Sequence, residues 1–221
     1  IAELEEKITN ATQNWTERLS DILVEHFGES MGTRYVHSYK HAFPQSYQSD
    51  FDARSVIGDI AMVETLVDDN DIAMSFYQPV GSRSDVMRFK VMRLNSLIEL
   101  STAIPILENL GLRVLGEQPY KIKLSDNRII WMHDFSLKFG LPITLDVHIV
   151  KPFFESAFDA TWLRRNESDG FNRLILAARL HWREVSLLRA FANYLKQTAF
   201  NSSLNFIADT LVAYPEITRN L

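Results

Sequence analysis

His37 and His41 stand four residues apart, a spacing that places both imidazoles on one face of a helix as in zinc sites. No Glu follows the first His and no third ligand presents itself, so no metal site is expected. Glu155 and Asp159, one helical turn apart, have the spacing of a carboxylate pair for acid–base work. Acids at that spacing on a helix surface are ordinarily solvated, and a structural role is the expectation. Covalent catalysis would need an activated nucleophile, but no serine sits in a Gly-x-Ser-x-Gly elbow and the chain has no cysteine. The eight glycines never gather into the strand-turn-helix fingerprint that lets a backbone approach a pyrophosphate. The residues thus predict no catalytic residue, no cofactor-binding residue and no metal ligand.

Two features suit a small molecule better. In IIWMHDFSLKF, His133 takes an inward place between Trp131 and Phe135. Its first reading is a core histidine with satisfied ring nitrogens, its second a ligand contact. The loop from Leu94 to Ser101 leads into a helix, where Ser96 and Ser101 with nearby backbone N–H groups could hold a carboxylate. Asn95, Ser96, Ser101 and His133 form the candidate binding set.

These residues must be positioned by the elements around them. Leu4, Ile8, Ala11, Trp15, Leu19, Ile22 and Leu23 recur at helical spacing up to Gly28 and Gly32. A second helix is expected through RYVHSYKHAF to Pro44. A third is expected over SVIGDIAMVETLV, with Val56, Ile60, Val63 and Val67 as its stripe and the acidic run 68–71 as a turn rather than a calcium loop. The period then becomes two in IAMSFY and MRFKVMRL, joined by the hairpin QPVGSRSD. A helix with Ser101 as N-cap and Gly111 as its left-handed C′ residue follows. LRVLGEQPYKIKL and RIIWMHDFSLKF make two more strands around Ser125, Asp126 and Asn127, and Pro152 is expected to open a helix over KPFFESAFDATWL. Strand, strand, helix, strand, strand, helix predicts an α+β fold, a small antiparallel sheet of ferredoxin-like kind covered by helices on one face.

From Asn166 to Phe200, Ser168 and Asp169 signal a helix start. Leu174, Ile175, Ala178, Trp182, Val185, Leu188, Phe191, Ala192 and Leu195 continue as one long or two joined amphipathic helices. Arg173, Arg179, Arg183, Glu184, Arg189 and Lys196 lie between them. That face reads first as a solvated one, and secondly as a basic surface that docks on an acidic neighbour. A last short helix is expected in SLNFIADTLVAYP.

The 221 residues, 46% hydrophobic and 23% charged, belong to a folded chain with one large domain or two modest ones. No apolar run approaches the roughly 18 to 20 residues of a membrane span, and IAELEEKITN is acidic rather than a leader. With no cysteine, a cytoplasmic setting is expected. The net charge of −5 is uneven: residues 1–71 carry 14 acidic and 5 basic side chains, whereas 72–150 and 151–221 each carry 7 and 9. That argues against nucleic acid as a partner and for segments that pack on one another or on further chain. The start at Ile1 reads as a piece of a longer polypeptide.

RYVHSYKHAFPQSY at 34–47, PILENLGLRVLGEQPY at 105–120, WMHDFSLKF at 131–139 and the run 167–200 resemble the large bacterial NAD-specific glutamate dehydrogenases. Arg164 and Arg179 depart from the pattern, standing where that family tends to have glycine. The resemblance implies a long enzyme that converts glutamate, NAD and water to 2-oxoglutarate, ammonium and NADH, with ACT-like modules in a regulatory N-terminal half. This chain would be a non-catalytic segment before the catalytic portion, because the lysine and aspartate of the reaction lie outside it. The expected layout is a helical segment at 1–70, an ACT-like α+β module at 71–150 and a helical segment at 151–221 packing on the module. No cofactor is expected in this segment, and NAD in the parent enzyme. The expected partners are the rest of the polypeptide including its catalytic portion, a further copy in a homo-oligomer and an amino-acid effector. The alternative is a scaffold or oligomerisation module without a small-molecule ligand.

Overall fold

The computed structural model describes residues 14–83, 85–140, 145–198 and 201–221. The expected helical positions Leu4, Ile8 and Ala11 lie outside the described residues. Four strands, β1 (Ile72–Tyr77), β2 (Val86–Leu94), β3 (Leu112–Lys123) and β4 (Ile129–Phe139), form one sheet in the order β1-β2-β4-β3. Its two central strands run antiparallel: the Phe139 N–H donates to the Asp85 carbonyl at one end, and the Asn95 N–H to the Ile129 carbonyl at the other. β3 and β4 turn through Leu124–Arg128, as the Ser-Asp-Asn signal predicts.

Alternation in MRFKVMRL predicts a strand with one apolar face. In the structure, β2 is buried on consecutive residues from Phe89 to Met92, and β4 from Met132 to Phe135. The pleat sends successive side chains to opposite sides, so the middle of the sheet is covered on both faces, not one.

The chain forms two compact units, and each strand contributes residues to both. The first unit holds everything up to Ala73 together with 91–98 and 119–133. Its helices are α1 (Trp15–Tyr39), α2 (Gln45–Asp50) and α3 (Val56–Val63), the last entered through a 3₁₀ turn at Ala53–Ser55. Gly28 breaks α1, with φ 77° and ψ 168°. The two halves of α1 then cross closely, since a Cβ on Gly32 would stand 2.5 Å from the Val24 Cα. The expected break between two helices is therefore present, but helix resumes at once rather than near Arg34. Leu19, Leu23, Tyr39, Phe43, Tyr47 and Ile60 pack with Met92, Leu94, Ile122, Ile130 and Met132 in one core. α3 stops at Val63, so Leu66 is buried and Val67, assigned to the stripe by period, is 84% exposed.

The second unit holds 74–90, 99–118 and 134–221. α4 (Leu100–Asn109) and α5 (Val147–Trp162) lie in it, and Phe76, Phe89, Phe135, Phe154 and Phe158 make its aromatic centre. Glu99, not Ser101, is the N-cap of α4, and Gly111 takes φ 89° after its end as expected. Pro152 does not open α5. The Asp146 side chain caps it by accepting the His148 N–H, and Pro152 falls inside the helix.

The run 166–200 is broken rather than continuous. Asp169 caps a 3₁₀ turn at Gly170–Asn172, which leads into α6 (Arg173–Ala177) and, after Arg179, α7 (Trp182–Gln197). His181 and Glu184 form a reciprocal capping box at the start of α7. α8 (Leu204–Ala213) and α9 (Pro215–Thr218) complete the unit.

Candidate functional site

Asn95, Ser96 and His133 come together in the first unit, where the end of β2 meets the start of β4. Asn95 has φ 56°, a left-handed conformation that asparagine tolerates better than most residues. Its side-chain amide donates to Asp69 Oδ1 at 2.9 Å, and its Oδ1 accepts the Ile129 N–H at 3.3 Å. It thereby ties the acidic turn 68–71 to the central strand pair. Ser96 Oγ donates to the Leu94 carbonyl at 3.2 Å. His133 is buried, and its Nε2 accepts the Ile98 N–H at 3.3 Å. An accepting Nε2 carries no proton, so in the neutral ring the proton sits on Nδ1.

Ser101 belongs to the second unit and is exposed in the first turn of α4. The Glu99 side chain makes no cap bond, so no side chain of the N-cap residue satisfies the opening N–H groups of α4. Ser101 and Thr102 line a surface cavity of about 460 Å³ whose opposite wall is the stretch from Arg164 to Ser168. A larger cavity of about 760 Å³ lies between the hairpin 76–82 and the start of α5, with His148 and Lys151 in its wall.

The other chemical candidates are engaged structurally. Glu155 accepts the Phe76 N–H at 2.8 Å and pairs with Lys151 at 2.7 Å, while Lys151 Nζ also donates to the Phe76 carbonyl at 3.1 Å. One ion pair of α5 thus satisfies both backbone groups of a residue on the edge strand β1, which keeps that position from pairing with another strand. Asp159 pairs with Arg165 instead of working with Glu155. Among the described residues, no group of three or more His, Asp or Glu could hold a metal ion.

Ser156 Oγ lies 3.4 Å from His181 Nε2 and has the look of a nucleophile–base pair. His181 Nδ1 accepts the Arg183 N–H at 3.3 Å, however, so in the neutral ring Nε2 bears the proton. It donates to the serine instead of accepting from it, the wrong tautomer for a base.

On the sheet, Arg88 reaches Asp134 and donates to Ser136 Oγ at 2.7 Å. The Asp134 carboxylate holds the Arg88 guanidinium above its ordinary pKa, chiefly through their hydrogen bond. Arg189 is buried and forks onto Asp169 at 2.7 and 2.9 Å, with a third bond of 2.7 Å to Asn172. Arg173 bonds the Gly170 carbonyl and Asp209. Two of the arginines on the expected basic face are therefore fixed inside the unit.

The sequence reading missed the pairing of Lys151 with Glu155, although their i,i+4 spacing signals it. It also missed the cavity wall 164–168, for which no local pattern exists. Arg164 and Arg179 have φ 57° and 56°, the left-handed conformation that explains why glycine suits those positions.

A family model described as "Glutamate dehydrogenase, ACT3 domain" matches residues 71–149, the stretch that holds the whole sheet. "Glutamate dehydrogenase, helical motif 2" matches 22–66, and "helical motif 3" matches 166–221. An "NAD-specific glutamate dehydrogenase" of Halomonas elongata is 38% identical over 221 residues, all of this chain. Proteins of the same description from Pseudomonas aeruginosa and Mycobacterium tuberculosis are 36% identical over 220 residues and 30% over 219. The chain spans 13 to 14% of the length of these relatives. Among the described residues no helix is long and apolar enough to cross a membrane.

Proposed function

Because the chain belongs to the family of the NAD-specific glutamate dehydrogenases, we propose that it serves such an enzyme as a non-catalytic regulatory segment preceding the catalytic portion. The enzyme as a whole oxidises L-glutamate with NAD and water to 2-oxoglutarate, ammonium and NADH, in the cytoplasm and as a homo-oligomer. NAD binds outside this segment. The observation that carries the reading is the match of an ACT3 domain to the sheet-bearing stretch 71–149, with helical motifs of the same enzyme matched on both sides. The chemistry of the residues supports it. The contact of Ser156 with His181 has the wrong tautomer for a base, and Glu155 and Asp159 each pair with a basic side chain.

An assay of the 221-residue chain for glutamate-dependent NADH formation tests this, with no turnover expected; measurable turnover overturns it. The finer reading is that an amino-acid effector is received at the start of the loop 95–101, by Asn95, Ser96 and His133 of the first unit. A ligand that binds only the folded state raises its stability as concentration exceeds Kd. Thermal unfolding with a panel of amino acids at millimolar concentration is expected to show a rise for at least one of them, and a flat response across the panel removes the effector.

A second reading, a scaffold without a ligand, is favoured by one observation. The Asn95, Ser96 and His133 side chains already bond the protein's own backbone and need no ligand to satisfy them. Sedimentation that reports self-association alongside a flat amino-acid panel is the outcome that selects it.

A further inference from the structure

α5 ends on an arginine where the backbone favours glycine. The Arg164 N–H donates to the Thr161 carbonyl at 3.0 Å and the Arg165 N–H to the Ala160 carbonyl at 2.7 Å, the two bonds of a Schellman motif with Arg164 as its left-handed C′ residue. A Cβ makes that conformation costly, and a residue held in it is a reason to ask what its side chain does. The side chain is not spent on the fold: Arg164 is exposed and makes no ion pair among the described residues. It stands instead in the wall of the cavity of about 460 Å³ that faces the first turns of α4, a volume suited to a small ligand.

The whole wall belongs to the second unit, and its two sides are tied together by the Asn109 side-chain amide, which donates to Ser168 Oγ at 3.0 Å. Asn166 is fixed as well, donating to Thr161 Oγ1 at 3.1 Å and accepting from Ser186 Oγ at 3.1 Å. The rest divides by chemistry. Pro105 and the buried Ile106 are apolar, while Ser101 and Thr102 present exposed hydroxyls. Among the charged groups, Arg165 pairs with Asp159, and Glu167 has the buried Arg189 at 3.5 Å. The Arg164 charge is left without a counter-charge among the described residues. An anion with a short apolar body answers that inventory, because a guanidinium takes a carboxylate in two parallel bonds and the hydroxyls add further donors.

We infer that this cavity binds a small carboxylate, with Arg164 taking its charge and Pro105 and Ile106 lying against its apolar body. Arg179 has nearly the same φ, 56°, but lines a cavity of only about 100 Å³, so the backbone conformation alone does not make the site. The inference does not rest on the reading of the chain as a regulatory segment. It also concerns a different place from Asn95, Ser96 and His133, which belong to the first unit.

Chemical-shift titration of the isotope-labelled chain tests it with butyrate, 2-oxobutyrate and L-2-aminobutyrate, which share one carboxylate and one short tail, and with butyramide as the uncharged control. Saturable shifts at millimolar concentration, largest at the amides of 101–106 and 161–168, are expected with at least one carboxylate and not with butyramide. Which carboxylate binds tightest identifies the source, since the ammonium of an amino acid would meet Glu167 and the other two have none. Arg164→Gln, which keeps a side chain on the left-handed backbone but removes its charge, and Arg164→Gly, which removes both, should each weaken binding by about tenfold or more. The absence of saturable shifts with every carboxylate, equal binding of butyramide or of inorganic phosphate, or an unchanged affinity in Arg164→Gln overturns the inference. An amino-acid response that persists in Arg164→Gln belongs to Asn95, Ser96 and His133, so the two sites fail separately.

Discussion

In the first unit tyrosine hydroxyls reach carboxylates from the core, whereas in the second arginine and lysine do so. Tyr39 donates to Glu64, Tyr47 to Asp59 and Tyr120 to Asp50. In the other unit Arg88 holds Asp134, Arg189 holds Asp169 and Lys151 holds Glu155. A phenol supplies a donor without a charge, whereas a guanidinium or ammonium brings a positive charge to its acid as well. That difference is the structural form of the sequence's charge asymmetry, in which residues 1–71 carry 14 acidic and 5 basic side chains while 151–221 carry 7 and 9. The two units should therefore fail by different routes.

The largest effect is expected in the second unit. Arg189→Ala removes three hydrogen bonds from Asp169 and Asn172 and leaves the loop before α6 without its clamp. A loss of about 3 kcal/mol is expected in denaturant unfolding. Arg189→Met, which keeps the stem packing, should recover part of it. Equal stability of Arg189→Ala and the parent would break the comparison, because the cationic clamp would then hold nothing.

The counterpart in the first unit is smaller. Tyr47→Phe withdraws one uncharged donor from the buried Asp59 while keeping the ring among Phe43, Phe51 and Tyr120. About 1 to 2 kcal/mol is the expected cost. Hydrogen exchange resolved by peptide should place the loss in residues of the first unit, and a loss spread equally over 134–221 would show that the two kinds of contact are not separable.

Much of this contrast lies beyond what the sequence discloses. The second strand was legible because Met87, Phe89 and Val91 alternate with Arg88 and Lys90, and the end of α4 because Gly111 is the residue that a left-handed C′ position favours. The burial of His133 followed from its inward place between Trp131 and Phe135. Its partner did not, since the Ile98 N–H lies 35 residues away and no local pattern links them. Asp169 and Arg189 are 20 residues apart, and Tyr120 and Asp50 are 70 apart. Two local signals misled for a physical reason: Ser101 is a better cap than Glu99 by type, and Pro152 is a better helix opener than Val147. Asp146 decides the start of α5 by its own cap bond to His148, and Pro152 is then carried within the helix.

Raising the pH separates the units in the opposite sense. Burial, and then the hydrogen bond to Glu64, push the Tyr39 hydroxyl well above the ordinary tyrosine pKa of about 10. Its folded-state pKa exceeds its unfolded one, so the contribution is fully present below about pH 10 and is lost progressively as pH rises beyond that towards the folded value. Stability measured from pH 9 to 12 is expected to fall less steeply in Tyr39→Phe than in the parent. Identical slopes would mean that the phenol ionises freely and that the first unit is no more alkali-sensitive than the second.

The smallest effect concerns Arg164 and Arg179, which sit in the second unit but outside its clamps. Each closes a short stretch of helix with a left-handed residue, φ 57° after α5 and 56° after α6. An L-residue with a Cβ pays about 1 to 2 kcal/mol for that conformation, and glycine escapes it while losing more freedom on folding. Arg164→Gly and Arg179→Gly should thus each raise stability, by roughly 0.5 to 1 kcal/mol, in contrast to the loss on removing Arg189. Opposite signs from arginines in one stretch would sharpen the comparison to its cause, since only the arginine whose guanidinium is buried against acids would be holding the unit together. A loss of more than about 0.5 kcal/mol from either glycine variant would instead reveal a contact of that side chain that outweighs its backbone strain.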